Sequence, residues 1–273
     1  MNFFIYKINE LIKIFYPTKE YKEYIKFNRN KWKKINIHEN QYKNGEILVD
    51  LFHHYPFINI WSNLVNLVSN KKNYRIKYFY FYFYNGYLNR FKFYSKKLRK
   101  IYNSFNVENE GIDERNLNFN IINKKIIRIQ KTITNKSKLE GLKYKSIRIG
   151  DLIYDTYLRT KLKPTVNLQD KYLKKLLTRS INMFNYLSTY LKKNRVKLVI
   201  VSHPYYIQYG ILTRIASKLK IPVVMIYSKN RGNNLFRLKF IDNKSPIEDF
   251  EYYNYKKKFS KLNSKKKRLS IGK

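Results

Sequence analysis

The segment "VSHPYY", Val201–Tyr206, sets a serine, a histidine and two tyrosines directly after the apolar run "VKLVI" and ahead of a stretch whose apolar residues recur every fourth position. His203 is one of only 4 histidines in 273 residues. Imidazole changes charge close to neutral pH, so His203 could take a proton from a hydroxyl or donate a hydrogen bond to a ligand. It could equally cap a turn. Ser202 is placed to cap the helix that follows, and Pro204 suits a first helical turn, where its missing N–H would have no partner. Gly210 falls within two turns of that start. Alanine there would be more stable by about 1 kcal/mol, so something approaches closely, either a neighbouring strand or helix or a ligand.

A second set lies at Gly150, Asp151, Asp155 and Arg159. Steps of four place the two carboxylates and the guanidinium on one helix face, with Asp151 near the positive end of the helix. Flanked by Tyr154 and Tyr157, this face would suit a sugar or a phosphate. The plain alternative is an Asp155–Arg159 surface ion pair contributing about 0.3 to 0.5 kcal/mol.

Other chemistries lack their residues. Cysteine is absent, which excludes disulfides, thiolate metal sites and thiol nucleophiles. No Gly-rich dinucleotide fingerprint, phosphate loop or nucleophile elbow follows any apolar run, and His38, His53 and His54 are scattered without metal-ligand spacing. Neither a cofactor nor a metal is expected.

The elements that must position these groups can be read from periodicity. "EILVDLF", Glu46–Phe52, reads as a buried strand because Ile47, Leu48 and Val49 run together. Ile60, Leu64, Leu67 and Val68 then recur at helical spacing, and "YRIKYFYFYFY" has strand propensity. A helix is expected from about Leu88 to Tyr102, then a strand end and loop over "YNSFNVENEGIDERN", then a helix within Ile121–Leu139. "IRIGDLIYDTYLRTKLKP" reads as a helix starting near Gly150 and Asp151 and ending before Pro164. From about Asp170 to Lys193 the stripe Leu173, Leu176, Leu177, Ile181, Phe184, Leu187 and Leu191 is the strongest periodic signal in the chain.

"VKLVIVS", the helix of Ile207, Ile211, Ile215 and Leu219, and "VVMIYS" complete a strand, helix, strand unit; "LFRLKF", Leu235–Phe240, reads as an edge or a hairpin arm. Strands alternating with amphipathic helices imply right-handed parallel crossovers, so the expected architecture is an α/β fold: a Rossmann-like parallel sheet with helices on both faces. Ligands in such sheets bind beyond the carboxyl ends of the strands, where "SHPYY" would lie. The expectation that carries the most is that His203 and the acidic face of the Gly150 helix share one cleft. The organisation expected is a basic peripheral arm at 1–44, the α/β domain at 45–245, and a basic helical connector and tail at 246–273. Pro17 breaks whatever helix opens the arm.

The formal charge is +40, from 58 Lys and Arg against 18 Asp and Glu. Such an excess ordinarily points to a polyanionic partner. Here it accompanies 27 Tyr, 18 Phe, 8 Gly and 6 Pro, the profile that A/T-rich codons produce, and the lysines are spread along the whole chain. The exception is "KKKFSKLNSKKKRLSIGK", Lys256–Lys273, which has no acidic residue. The first residues, "MNFFIYKINELIKIFYP", are interrupted by Lys7, Glu10 and Lys13, so neither an export signal nor a membrane span is expected.

At "SIRIGDLIYDTYLR" (146–159), "KPTVNL" (163–168), "VSHPYYIQYGILTRIASKLKIPV" (201–223) and "GEILVDLFHHYP" (45–56), the chain resembles bacterial capsule and surface-polysaccharide biosynthesis proteins of glycosyltransferase type. The resemblance implies a GT-B arrangement, in which one Rossmann-like domain handles the acceptor and a C-terminal one holds a nucleotide-sugar donor. This chain corresponds to the first of them. "SPIEDFEYYNYKKKFSKLNSKKKRLSIGK" is similar to the connector ahead of the second, so the resemblance implies a split or truncated protein without its donor half, a separate donor-domain chain being the partner in the split case. The resemblance maps function onto Gly150, Asp151, Asp155, Arg159, Ser202, His203, Tyr206 and Gly210. His203 is the preferred base for an acceptor hydroxyl and Asp155 the alternative, with Gly150, Asp151, Arg159, Ser202, Tyr206 and Gly210 binding substrate.

The implied partner is a glycan or lipid-linked acceptor. The implied location is the cytoplasm, with arm and tail able to touch the inner face of the membrane. The competing readings are a basic RNA-associated protein, using phosphate contacts and base stacking, and a non-catalytic scaffold remnant. Nucleic acid is disfavoured because the aromatic residues fall largely in runs that read as core.

Overall fold

Three consecutive apolar side chains suit a strand covered on both faces. In the computed structural model, Glu46–Asp50 is the fully buried strand β1. The structure describes residues 19–33, 44–51, 55–81, 99–107, 111–122, 124–228 and 236–241. Around β1 stand helix α1 (Lys19–Lys33), α2 (Tyr55–Lys72), β2 (Arg75–Tyr80), β3 (Gly111–Asp113), α3 (Lys124–Thr132) and α4 (Lys136–Glu140). A short hairpin, β4 (Lys143–Tyr144) and β5 (Ile147–Arg148), leads into α5 (Gly150–Lys161), α6 (Lys171–Lys193), β6 (Val196–Val201), α7 (Tyr206–Lys218), β7 (Val223–Ser228) and β8 (Phe236–Ile241).

Six strands form one sheet in the order β3-β2-β1-β6-β7-β8. All neighbours are parallel except β7 and β8, which pair antiparallel from Val223↔Ile241 to Ser228↔Phe236. The chain therefore moves outward from β1 through β2 and β3, returns to the other flank of β1, and moves outward again through β6 and β7. The reversal falls between β1 and β6, and it is there that an open α/β sheet leaves a crevice at its carboxyl edge.

Alternation along the strands divides the core between two faces. Leu48, Phe79, Val199, Val201, Val223 and Met225 point to the face covered by α5, α6 and α7. Ile47, Val49, Ile76, Tyr78, Ile200 and Val224 point to the other, with Trp32 of α1, Ile58, Trp61 and Val65 of α2, and Ile101, Tyr102 and Phe105. The α/β class, the mainly parallel sheet and the helices on both faces all agree with the sequence, as does α6, whose seven stripe residues are all buried.

Four differences have local causes. Residues 19–33, within the peripheral arm expected at 1–44, form the helix α1, which seats Trp32 and Asn28 against the segment 99–107; Asn28 donates to Ser104 Oγ at 3.3 Å. In α2 the buried stripe runs through Ile58, Trp61 and Val65, and Leu67 is 64% exposed. Trp61, the bulkiest side chain, takes the centre, and the small polar Ser62, Asn66 and Ser69 allow 99–107 to approach, with Asn66 donating to Phe105 O at 2.8 Å. Within Ile121–Leu139 the chain makes two helices instead of one, because Asn135 turns out of helical geometry and caps α4 by accepting from Lys138 N at 2.9 Å. The supposed loop at "GID" is the parallel edge strand β3. Most of the helix expected at 88–102, the basic tail, and His38, His53 and His54 lie outside the described residues.

Candidate functional site

Asp50 is the last residue of β1 and Ser202 follows the last residue of β6, so the reversal of strand order sets them side by side at the carboxyl edge. The Ser202 hydroxyl donates to Asp50 Oδ2 at 2.7 Å, and its oxygen lies 2.9 Å from His203 Nδ1. Both Asp50 and Ser202 are buried, and Tyr102 donates from its hydroxyl to the Asp50 carbonyl at 2.8 Å. His203, only partly buried, is the outermost of the three.

Burial governs the protonation of both ends of this chain. The Asp50 carboxyl is pushed up to about 7, because loss of water outweighs the side-chain and backbone hydrogen bonds from Ser202. The His203 imidazole is pushed down to about 4 by the same cause acting on a base, so it is neutral at physiological pH. Its ring lies 4.3 Å from that of Tyr209, with Tyr206 edge-on at 5.9 Å and Tyr205 at 6.1 Å. Tyr209 is itself buried, and its phenol is pushed well above the usual range by burial and by the charge of Asp50.

The turn that carries His203 is not built as a capped helix start. Tyr205 precedes α7 without a side-chain cap, and Tyr206 takes a left-handed backbone at φ 57°. A residue other than glycine in that region costs on the order of 1 to 3 kcal/mol. It turns the chain sharply enough to wrap two tyrosines around the imidazole. Ser202, expected to cap α7, is bound to Asp50 instead, and the orphan N–H of Ile207 donates to Thr156 Oγ1 of α5 at 3.0 Å. Pro204 lies just outside the helix.

The second sequence constellation meets α7 at two levels: Asp151 lies against its later part at Arg214, and Thr156, next to Asp155, reaches its first turn at Ile207. Asp151 accepts two hydrogen bonds from Arg214, Nη1 to Oδ1 at 2.6 Å and Nη2 to Oδ2 at 2.7 Å, with Arg148 Nε at 3.7 Å from the same carboxylate. Arg214 is eight residues along α7 from Tyr206, or about 12 Å at 1.5 Å per residue. Asp155 is exposed, and its carboxyl is raised first by partial loss of water, then by Asp151 and Glu140, with Arg214 and Arg148 opposing. Those charges are its electrostatic neighbours. Arg159 is exposed and makes no ion pair with Asp155 among the described residues.

Both glycines have packing reasons. A Cβ on Gly150 would lie 1.8 Å from Leu139 O. One on Gly210 would lie 2.5 Å from Leu152 Cδ2 and 2.7 Å from Pro204 O, so the close approach inferred there is that of α5.

Sequence reasoning missed Asp50 and Tyr209. For Asp50 the available signal was an acidic residue closing a buried strand whose three central residues are apolar; Tyr209 has the pattern of any core aromatic of α7. A further buried charge pair also went unseen, Arg179 Nε and Nη2 each 2.5 Å from the Glu114 carboxylate, joining α6 to the end of β3. Among the described residues, no group of three or more potential ligands could hold a metal ion, and no helix is long and apolar enough to cross a membrane. Comparison with protein-family models, with curated proteins and with solved structures finds no match.

Proposed function

We propose that this chain serves bacterial surface-polysaccharide synthesis as a glycosyltransferase-like protein, its doubly wound domain holding a glycan or lipid-linked acceptor in the manner of the acceptor side of a GT-B enzyme. The single observation that carries the reading is the position of His203: a neutral imidazole on the switch point between β1 and β6, one nitrogen tied inward to Ser202. Three tyrosine rings surround it. Aromatic faces suit the apolar C–H faces of a sugar ring, and an inward-tied imidazole suits its hydroxyl.

In the step proposed, His203 Nε2 accepts the hydrogen of the acceptor hydroxyl. The hydroxyl oxygen bonds to the anomeric carbon of a nucleotide sugar as the bond from that carbon to phosphate breaks, the electron pair leaving with the phosphate. The nucleotide-sugar site belongs to a second domain, in this chain or another, that is not among the described residues. Asp155, the alternative base, has no support from its neighbours, which tie it to the Arg148 and Arg214 cluster. The same reading puts the protein in the cytoplasm, in peripheral contact with the inner membrane.

The test is saturation-transfer NMR of the purified chain with a panel of free and lipid-linked oligosaccharides, run beside a single-stranded RNA homopolymer. Saturable oligosaccharide binding that changes less than about 2-fold between 50 and 200 mM salt, and that weakens about tenfold or more in a folded His203→Ala protein, is the expected result. RNA binding that falls by about 10³-fold or more over that salt range, with no oligosaccharide bound, would replace this reading with a nucleic-acid one.

A further inference from the structure

Taken alone, an imidazole pushed down to about 4 is a poor base at neutral pH. The groups behind it change that. We propose that Asp50, acting through the Ser202 hydroxyl, decides which nitrogen of His203 carries its hydrogen and receives the proton that His203 takes up. Asp50 is thus a positioning residue, and the inference rests on the reading of His203 as the group that meets the acceptor hydroxyl.

The number of hydrogens along the three groups decides their arrangement. A serine hydroxyl has one hydrogen to give, and an ionised carboxylate can only accept. While Asp50 is ionised, the Ser202 hydrogen is committed to Oδ2 at 2.7 Å, so the contact of 2.9 Å between Ser202 Oγ and His203 Nδ1 must be closed by a hydrogen on Nδ1. The neutral ring then has a bare Nε2 lone pair facing outward. Once Asp50 is protonated, its own hydroxyl donates to Ser202 Oγ, the Tyr209 phenol, which also bonds Ser202, gives its hydrogen to the remaining lone pair, the serine hydrogen turns to Nδ1, and the ring holds its hydrogen on Nε2. In that form His203 can donate but not accept.

The same chain moves a proton inward. As Nε2 takes the hydroxyl hydrogen, the hydrogen on Nδ1 passes to Ser202 Oγ and the serine hydrogen passes to Asp50 Oδ2. The ring is neutral before and after, and the carboxylate has become a carboxyl. Burial favours that end state, since it raises the proton affinity of Asp50 and lowers that of His203.

The groups that face Asp50 are Ser202 from the end of β6, Tyr209 from α7, whose phenol feels the carboxylate charge and is hydrogen-bonded to Ser202, and Tyr102, bonded to its carbonyl; Tyr80 of β2 lies beside Tyr209. None of these is a carboxylate, a lysine or an arginine. Burial and Ser202 therefore set where Asp50 titrates, and the switch between the two His203 forms falls near pH 7.

Nitrogen-15 NMR of the full chain labelled at histidine reads the tautomer directly and needs no substrate. The signals of His203 are assigned by their loss in His203→Gln, against only 3 other histidines out of the 4 in the chain. The expected result is a neutral ring that carries hydrogen on Nδ1 at pH 8.5 and on Nε2 at pH 6, with the midpoint at about 7. In Asp50→Asn and in Ser202→Ala the crossing should disappear, leaving one tautomer throughout. A wild-type ring that keeps one tautomer over the whole range overturns the proposal, as does a crossing that survives in Asp50→Asn. If neither variant folds, the wild-type titration decides by itself. Failure here leaves oligosaccharide binding untouched, and failure of oligosaccharide binding leaves the tautomer switch standing, so the two readings fall separately.

Discussion

A carboxyl held far from its ordinary affinity must leave a mark on stability, and Asp50→Asn measures it. The ordinary aspartate value is 3.8, and in the fold Asp50 titrates at about 7. Three pH units correspond to about 4 kcal/mol at about 1.36 kcal/mol per unit. An acid raised on folding costs nothing below the unfolded value, costs more as pH rises, and reaches its full cost above the folded value. At pH 8 the wild-type protein therefore bears nearly all of that destabilisation. At pH 5 it bears about 1.6 kcal/mol, from the 1.2 units that separate pH 5 from 3.8.

Asparagine cannot ionise, so the substitution removes the pH-dependent cost and substitutes a fixed one, about 1 to 3 kcal/mol for amide hydrogens without partners in a buried site. The net expectation is a protein more stable than wild type by about 1 to 3 kcal/mol at pH 8 and close to neutral at pH 5. The difference between the two conditions, about 3 kcal/mol, is the sharper quantity because the fixed amide cost cancels from it. Urea unfolding at pH 5 and pH 8 would read it as a shift in midpoint at constant slope. If Asp50→Asn changes stability equally at the two pH values, to within about 0.5 kcal/mol, the carboxyl is not held up by burial and the switch proposed for His203 has no driving group.

Two further outcomes test the packing that frames the site. Gly210→Ala should destabilise by about 1 to 3 kcal/mol despite a helix-propensity gain of about 1 kcal/mol, because its methyl would meet Leu152 Cδ2 at 2.5 Å and Pro204 O at 2.7 Å; a thermal melt at or above wild type would mean that α5 and α7 are not in contact there. Arg179→Met should cost about 3 to 5 kcal/mol by removing the guanidinium that faces the buried Glu114 carboxylate, with most of the loss recovered in the Arg179→Met, Glu114→Leu double variant; chemical denaturation showing the double variant to be as unstable as the single would refute a buried pair.

The parts of this protein legible in its sequence are those decided by neighbours in the chain. The apolar runs of β1, β6 and β7 and the heptad-like stripe of α6 each contain their own period, and the period locates each to within a residue or two. The face of α2 is different. Its stripe depends on where Trp61 seats against 99–107, a contact made across about forty residues. Edge strand β3 has three residues and no period to read.

The site divides along the same line. His203 was legible because a histidine after a buried strand in an α/β chain must emerge at the carboxyl edge. Its partner was not, since Ser202 obeys a local rule only when nothing better competes for its hydroxyl, and Asp50, 152 residues away, does compete. Asp151 likewise answers to Arg214, 63 residues on, while Arg159, the guanidinium expected on its own helix face, stays exposed. In both cases a carboxylate is bonded to a donor that shares its burial and is distant in sequence. Charge–charge attraction grows as water is withdrawn, so an exposed pair at helical spacing is worth a few tenths of a kcal/mol and the half-buried bidentate pair several times that. Strand order decides which groups lose their water together. Once β1 is set beside β6, Asp50 follows, as the carboxylate that the reversal of strand order brings against the "SHPYY" turn.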